Sequence, residues 1–146
     1  MCGIVGFVGA GDKGDLKRMT KSLAHRGPDD QGVYADLNSG LFLGHRRLSI
    51  LDIAGGSQPM WNRKGNTAII FNGEIYNHME LRQELENRGH RFSTSHSDTE
   101  TLLYAYLEWG EELPIRLNGM FAFVIYDKKR NKLFCARDRF GKKPFY

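Results

Sequence analysis

Two cysteines, Cys2 and Cys135, are all that this chain of 146 residues contains, so no disulfide framework can staple it and a reducing cytoplasm is the expected compartment. Neither cysteine has a neighbour at metal-ligand spacing, and the five histidines form no His-x-x-x-His pair; a zinc site would need ligands gathered from scattered positions. Long apolar runs are missing as well. The run 2–8 is too short to span a membrane and lacks the positive flank and longer apolar core of a secretion signal, so no membrane partner is expected. Charge of one sign is scarce: 21 Lys and Arg face 17 Asp and Glu, interspersed along most of the chain, which argues against a nucleic-acid partner. The densest basic cluster, Arg137, Arg139, Lys142 and Lys143, reads as a solvated face or a domain junction. With no repeat, low-complexity tract or linker, and with 40% hydrophobic residues, residues 1–146 suit one globular domain.

What is present reads as alternating short strands and a few helices. Residues 2–8 form an apolar strand, the Gly-rich stretch 9–14 breaks it, and an amphipathic helix covers about 15–23. Residues 25–32 form a Gly- and Pro-containing loop, and 32–36 with 41–45 flank Asn38-Ser39-Gly40 as a hairpin. A strand over 68–71 ends at Asn72-Gly73, a turn dipeptide. Asn77 is placed to cap a helix that runs to Arg88 and stops at Gly89, and Ser97 to Glu100 has capping-box spacing ahead of Leu102, Leu103, Tyr106 and Leu107. Strands over 121–126 and 132–136 form a second hairpin. The class this predicts is α+β with antiparallel sheets.

Two motifs point elsewhere and fail on context. Gly9, Gly11 and Gly14 satisfy the dinucleotide-binding glycine pattern, with Asp29 and Asp30 about 20 residues on. That fold, however, places its acid at the end of a second parallel strand, and no apolar strand lies between the helix and the 25–32 loop. The run Phe121-Ala122-Phe123-Val124-Ile125-Tyr126 matches the end of an RNA-recognition strand, but Gly119 and Met120 stand where a basic residue and Gly belong. Alternation along it suits a strand covered on both faces.

Cys2 is the residue with chemistry. Removal of Met1 would leave a thiol and a free α-amine on one residue, and an amine with a reference pKa of about 8 can take the thiol proton near neutral pH. A small buried cysteine on the first strand is the plainer reading of Met-Cys alone. The whole opening, Cys2-Gly3-Ile4-Val5-Gly6, resembles the start of class II glutamine amidotransferases. His25-Arg26-Gly27-Pro28-Asp29, Gly44-His45-Arg46-Arg47-Leu48-Ser49-Ile50-Leu51-Asp52, Phe71-Asn72-Gly73-Glu74-Ile75-Tyr76-Asn77, Ser97-Asp98-Thr99-Glu100 and Ala136-Arg137-Asp138-Arg139-Phe140-Gly141 follow in the family's order and are similar to the asparagine synthetase branch.

That resemblance implies a four-layer αββα sandwich of the N-terminal-nucleophile hydrolase type, and hydrolysis of glutamine to glutamate and ammonia. It implies Cys2 as nucleophile, Asn72 and Gly73 as oxyanion donors, Arg47 for the α-carboxylate and Asp98 for the α-ammonium of glutamine. Leu48, Ser49, Ile50, Leu51 and Glu74 would line the pocket, and Arg26 and Asp29 would organise the neighbouring loop. It further implies no metal or organic cofactor in this domain. ATP and Mg would belong to a C-terminal synthetase domain, in cis or as a partner subunit, which this chain lacks; a homodimer through the full-length enzyme stays open. The alternatives are a glutaminase domain of another amidotransferase, or a non-catalytic glutamine-binding or docking module.

Overall fold

A computed structural model describes residues 2–48 and 56–146. Two antiparallel sheets lie face to face. The first has the order β1 (Gly3–Val8), β3 (Leu41–Arg47), β2 (Asp30–Asp36); the second has the order β4 (Met60–Trp61), β5 (Thr67–Ile75), β6 (Gly119–Asp127), β7 (Lys132–Arg137). Helix α1 (Lys13–Ser22) covers the outer face of the first sheet, and α2 (His78–Asn87) with α3 (Asp98–Trp109) covers the outer face of the second. A 3-10 turn and a short α4 (Leu113–Arg116) lead back into β6. The result is the four-layer αββα sandwich.

Strand periodicity builds these layers. Leu41 and Leu43 of β3 meet Ile70, Val124 and Tyr126 across the slot between the sheets, while Ile69, Phe71, Phe121, Phe123 and Ile125 point the other way, into the helices. Phe121 and Phe123 are buried, so β6 is a core strand and the RNA-binding reading falls. Gly44 lets α1 lie close to the first sheet, since a Cβ there would stand 2.4 Å from Thr20 Oγ1. Helix α1 starts earlier than the periodicity suggested, at Lys13, because Asp12 and Asp15 form a reciprocal capping box. The glycine pattern therefore ends inside a capped helix next to an antiparallel sheet, where a dinucleotide-binding unit cannot form.

Four other local expectations change. Asn72-Gly73 is no turn: β5 runs straight through it, with Asn72 opposite Ala122 and Gly73 opposite Phe121. Glycine is required there for close approach, because a Cβ on Gly73 would lie 2.2 Å from the Met120 carbonyl oxygen. Strand β2 begins at Asp30, inside the stretch read as loop. Asn77 precedes α2, yet its side chain does not cap it; the amide instead donates to Arg116 O and accepts from Asn118 N, both at 3.0 Å. Leu107 falls on the helical period of α3 but is 40% exposed.

Candidate active site

The second sheet has an incomplete edge. Strand β4 reaches only as far as the pairs Met60 with Ile69 and Trp61 with Ala68, so among the described residues no strand stands beside the outer edge of β5 beyond Ile69. Side chains take the backbone groups there. Gln58 Oε1 accepts from Phe71 N at 2.6 Å and Asp98 Oδ2 accepts from Ile75 N at 3.2 Å. Backbone groups of an antiparallel strand alternate sides, so the N–H of Gly73, two residues from each, faces the same open edge between Gln58 and Asp98. Side-chain alternation puts Asn72 on the face of Ile70, toward the slot between the sheets.

The first sheet brings the thiol to the same slot. Gly3 pairs with Arg46 and Ile4 with His45, which sets Cys2 beside Arg47 on the face that carries Ile4 and His45. Arg26 Nε donates to the Cys2 carbonyl at 3.2 Å, and Asp29 N donates to the Arg47 carbonyl at 3.0 Å. Gly27 packs on the Arg46–Arg47 peptide, where a Cβ would lie 2.4 Å from Arg47 N. The loop around Arg26 and Asp29 thus clips the thiol-bearing residue and the guanidinium-bearing residue to one another. Arg47 is buried, and its guanidinium lies over Gly56, leaving no room for a Cβ there.

Asp98 enters from the helical layer. Ser97 Oγ accepts from Glu100 N at 3.2 Å and starts α3, so Asp98 stands in the first turn, half-buried. The box is only half formed, because the Glu100 carboxylate turns to Ser93 N, Thr94 N and Thr94 Oγ1 at 2.7, 2.8 and 2.6 Å. Burial pushes the Asp98 carboxyl above the usual carboxylate range, against the opposing pull of the Ile75 amide and nearby His78. His45 is buried between the sheets, with Nε2 3.2 Å from Phe71 O; a carbonyl can only accept, so the ring proton sits on Nε2. Burial lowers its pKa to about 4, with the Phe71 bond opposing and Arg47 reinforcing the shift.

These elements enclose a cleft of about 490 Å³ that gathers Cys2, Arg47, Leu48, Asn72, Gly73, Glu74 and Asp98. The remaining expected pocket residues, Ser49, Ile50 and Leu51, lie outside the described residues, as does Met1. Tyr76 and Thr99, which lie within the quoted motifs without an assigned role, also line the cleft, as do Lys143 of the basic cluster and Gln58, which no motif singles out. A nucleophile, an open backbone edge, a guanidinium and a carboxylate in one cleft match the parts of a free amino acid with an electrophilic side chain. A larger, more apolar cavity of about 640 Å³ lies on the other side of Asn72, along β1 and β7, without convergent charge. Among the described residues no three His, Cys, Asp or Glu side chains converge on a metal-sized site, and no helix is long and apolar enough to cross a membrane.

The four-layer fold has a counterpart among solved structures. It superposes on the glutamine phosphoribosylpyrophosphate amidotransferase of B. subtilis, a structure complexed with ADP and GMP, with a TM-score of 0.75 at 23% identity, over 94% of this chain and 37% of that one. The sequence fixes the family: residues 1–146 match the glutamine amidotransferase domain family throughout, and the chain belongs to it. It is 50% identical over 153 residues to asparagine synthetase (glutamine-hydrolyzing) 3 of Bacillus subtilis and 46% identical to asparagine synthetase (glutamine-hydrolyzing) 1 of the same organism. Asparagine synthetase (glutamine-hydrolyzing) 1 of Arabidopsis thaliana is 40% identical over 151 residues. Each alignment covers 100% of this chain but only 24–25% of the relative, so the chain spans about a quarter of their length.

Proposed function

We propose that this domain hydrolyses glutamine through a thioester on Cys2, and that the ammonia serves an ATP-dependent synthetase domain of the asparagine synthetase kind. The observation that carries the reading is the convergence of Cys2, the open edge at Gly73, Arg47 and Asp98 in one cleft. With Met1 removed, the α-amine of Cys2 takes the thiol proton and the sulfur attacks the side-chain amide carbon of glutamine. The Gly73 N–H and the Asn72 side-chain amide donate to the resulting oxyanion; one such donor lowers the barrier by about 3 kcal/mol. The intermediate expels ammonia, which carries away the proton held by the amine, and water then cleaves the thioester to glutamate and restores the thiol.

Arg47 offers a planar fork to the α-carboxylate and Asp98 an acceptor to the α-ammonium, while Leu48 and Glu74 shape the walls. In this reading the domain uses no metal or organic cofactor of its own, ATP and Mg act in the synthetase domain on aspartate, and the compartment is the cytoplasm. The test compares protein that begins at Cys2, confirmed by intact mass, with Cys2→Ala and with protein carrying a blocked extension before Cys2. Glutamine-dependent ammonia release is expected from the first alone. Undiminished turnover in either altered form ends the reading.

A further inference from the structure

Phe71 is buried, yet both of its backbone polar groups face the edge of β5 beside which, among the described residues, no strand stands. Left unpaired, each would cost about 1–3 kcal/mol or draw water between the sheets. Two side chains replace the missing strand: Gln58 accepts from the Phe71 N–H at 2.6 Å, and His45 donates from Nε2 to the Phe71 carbonyl at 3.2 Å. His45 comes from the opposite sheet and Gln58 from the irregular segment before β4, so neither bond is an ordinary ladder contact. Phe71 O and Asn72 N belong to one peptide plane, and the next amide along the same edge is Gly73 N–H. Gln58 also reaches α3, where Nε2 lies 3.4 Å from Thr99 Oγ1, next to Asp98.

We propose that His45 and Gln58 are positioning residues for glutamine hydrolysis: they hold the Phe71 peptide as a surrogate strand, so that Asn72 and Gly73 present their donors at one point. The role rests on the glutaminase reading above. The two differ in what else they hold. Among the described residues the His45 ring hydrogen-bonds to the oxyanion side, whereas Gln58 couples that side to the Asp98 end of the cleft. A donor moved by about 1 Å forfeits about 100-fold in rate, which sets the scale of the effect.

The experiment measures glutamine kinetics of protein that begins at Cys2, with thermal melts to establish folding. His45→Leu is expected to lower kcat by about 10- to 100-fold with little change in KM, and His45→Gln, which keeps an N–H of similar reach, to recover most of it. Gln58→Met is expected to lower kcat by a similar factor and also to raise KM. Should His45→Leu not fold, His45→Asn, whose amide stops short of Phe71, takes its place. Wild-type kcat in folded His45→Leu or His45→Asn overturns the proposal, and so does a loss that His45→Gln leaves unrepaired. A wild-type protein that releases no ammonia from glutamine sinks the glutaminase reading itself, an outcome distinct from either.

Discussion

Asp98 Oδ2 and the backbone amide of Ile75 are joined at 3.2 Å, which ties the first turn of α3 to the open edge of β5. One oxygen of the carboxylate is thereby committed to the scaffold, and its orientation is set before any ligand arrives. Burial raises the pKa of this group, and an incoming ammonium would favour its charged form. Glutamine capture should therefore weaken as pH falls, beginning above the range of an ordinary aspartate, with KM rising and kcat at saturation less affected. Asp98→Asn should lose roughly 2–5 kcal/mol of glutamine affinity and show a flat KM profile over that window. A wild-type KM independent of pH down to the ordinary aspartate range would remove Asp98 from ammonium recognition.

The same burial that keeps His45 neutral makes stability depend on pH. Its folded pKa of about 4 lies below the unfolded value of 6.5. Between these values the unfolded chain binds more protons than the folded one, so the contribution is complete above pH 6.5 and is lost as pH falls toward 4. At about 1.4 kcal/mol per unit the loss is of order 3 kcal/mol. Denaturant unfolding at pH 7 and pH 4.5 should show it, and His45→Gln should flatten that slope. An equal slope in the variant would assign the acid sensitivity to other groups.

Gly73→Ala should be severe although Gly73 has no unusual backbone angle. The added carbon would stand 2.2 Å from Met120 O and 2.8 Å from Phe121 Cα, backbone atoms of β6 that cannot swing aside. Strand β5 has to move, at about 1–3 kcal/mol of stability and, through displacement of the Gly73 N–H, about 100-fold or more in turnover. Gly89→Ala is the contrast: φ is +93 with nothing within 4 Å, so it should cost about 1–3 kcal/mol of stability and leave turnover intact. Equal turnover losses in both would mean that general destabilisation, not displacement at the edge, explains the first.

The site residues were legible through the motifs that carry the family resemblance, and less so through strand periodicity. Of Cys2, Arg47 and Asn72, only Cys2 falls on a predicted strand: the strands read over 41–45 and 68–71 stop short of Arg47 and Asn72, which β3 and β5 take in, and there alternation turns them toward the slot. The Asn72-Gly73 dipeptide misled because glycine serves two ends: at a turn it supplies positive φ, whereas here it removes a Cβ from a close strand crossing. Gln58 could not be found by pattern, since its bond to Phe71 is made from an irregular segment by a side chain that stands in for a strand. Glu100 was expected to close a capping box, a contact within four residues, but its carboxylate found three donors in the preceding loop instead. Local spacing identifies an acceptor, and tertiary competition decides what it accepts.

Glu100 therefore bears on function at one remove. Its carboxylate is buried and takes Ser93 N, Thr94 N and Thr94 Oγ1, which fixes the loop that delivers Ser97 and Asp98 to the cleft. Glu100→Gln keeps the shape but replaces one acceptor oxygen with a donor facing a donor, at about 1–3 kcal/mol. Because the Ser97 cap uses the backbone of Glu100 and not its side chain, α3 should still start at Asp98. The loss should appear as a higher KM for glutamine, since a loosened loop weakens ground-state and transition-state contacts to the ammonium equally, while kcat at saturation stays near wild type. Hydrogen exchange supplies the independent measure: the amides of Ser93 and Thr94 should exchange faster in the variant while those in the body of α3 do not. Faster exchange through the whole helix would show instead that Glu100 supports α3 itself, and the link from this loop to glutamine capture would be lost.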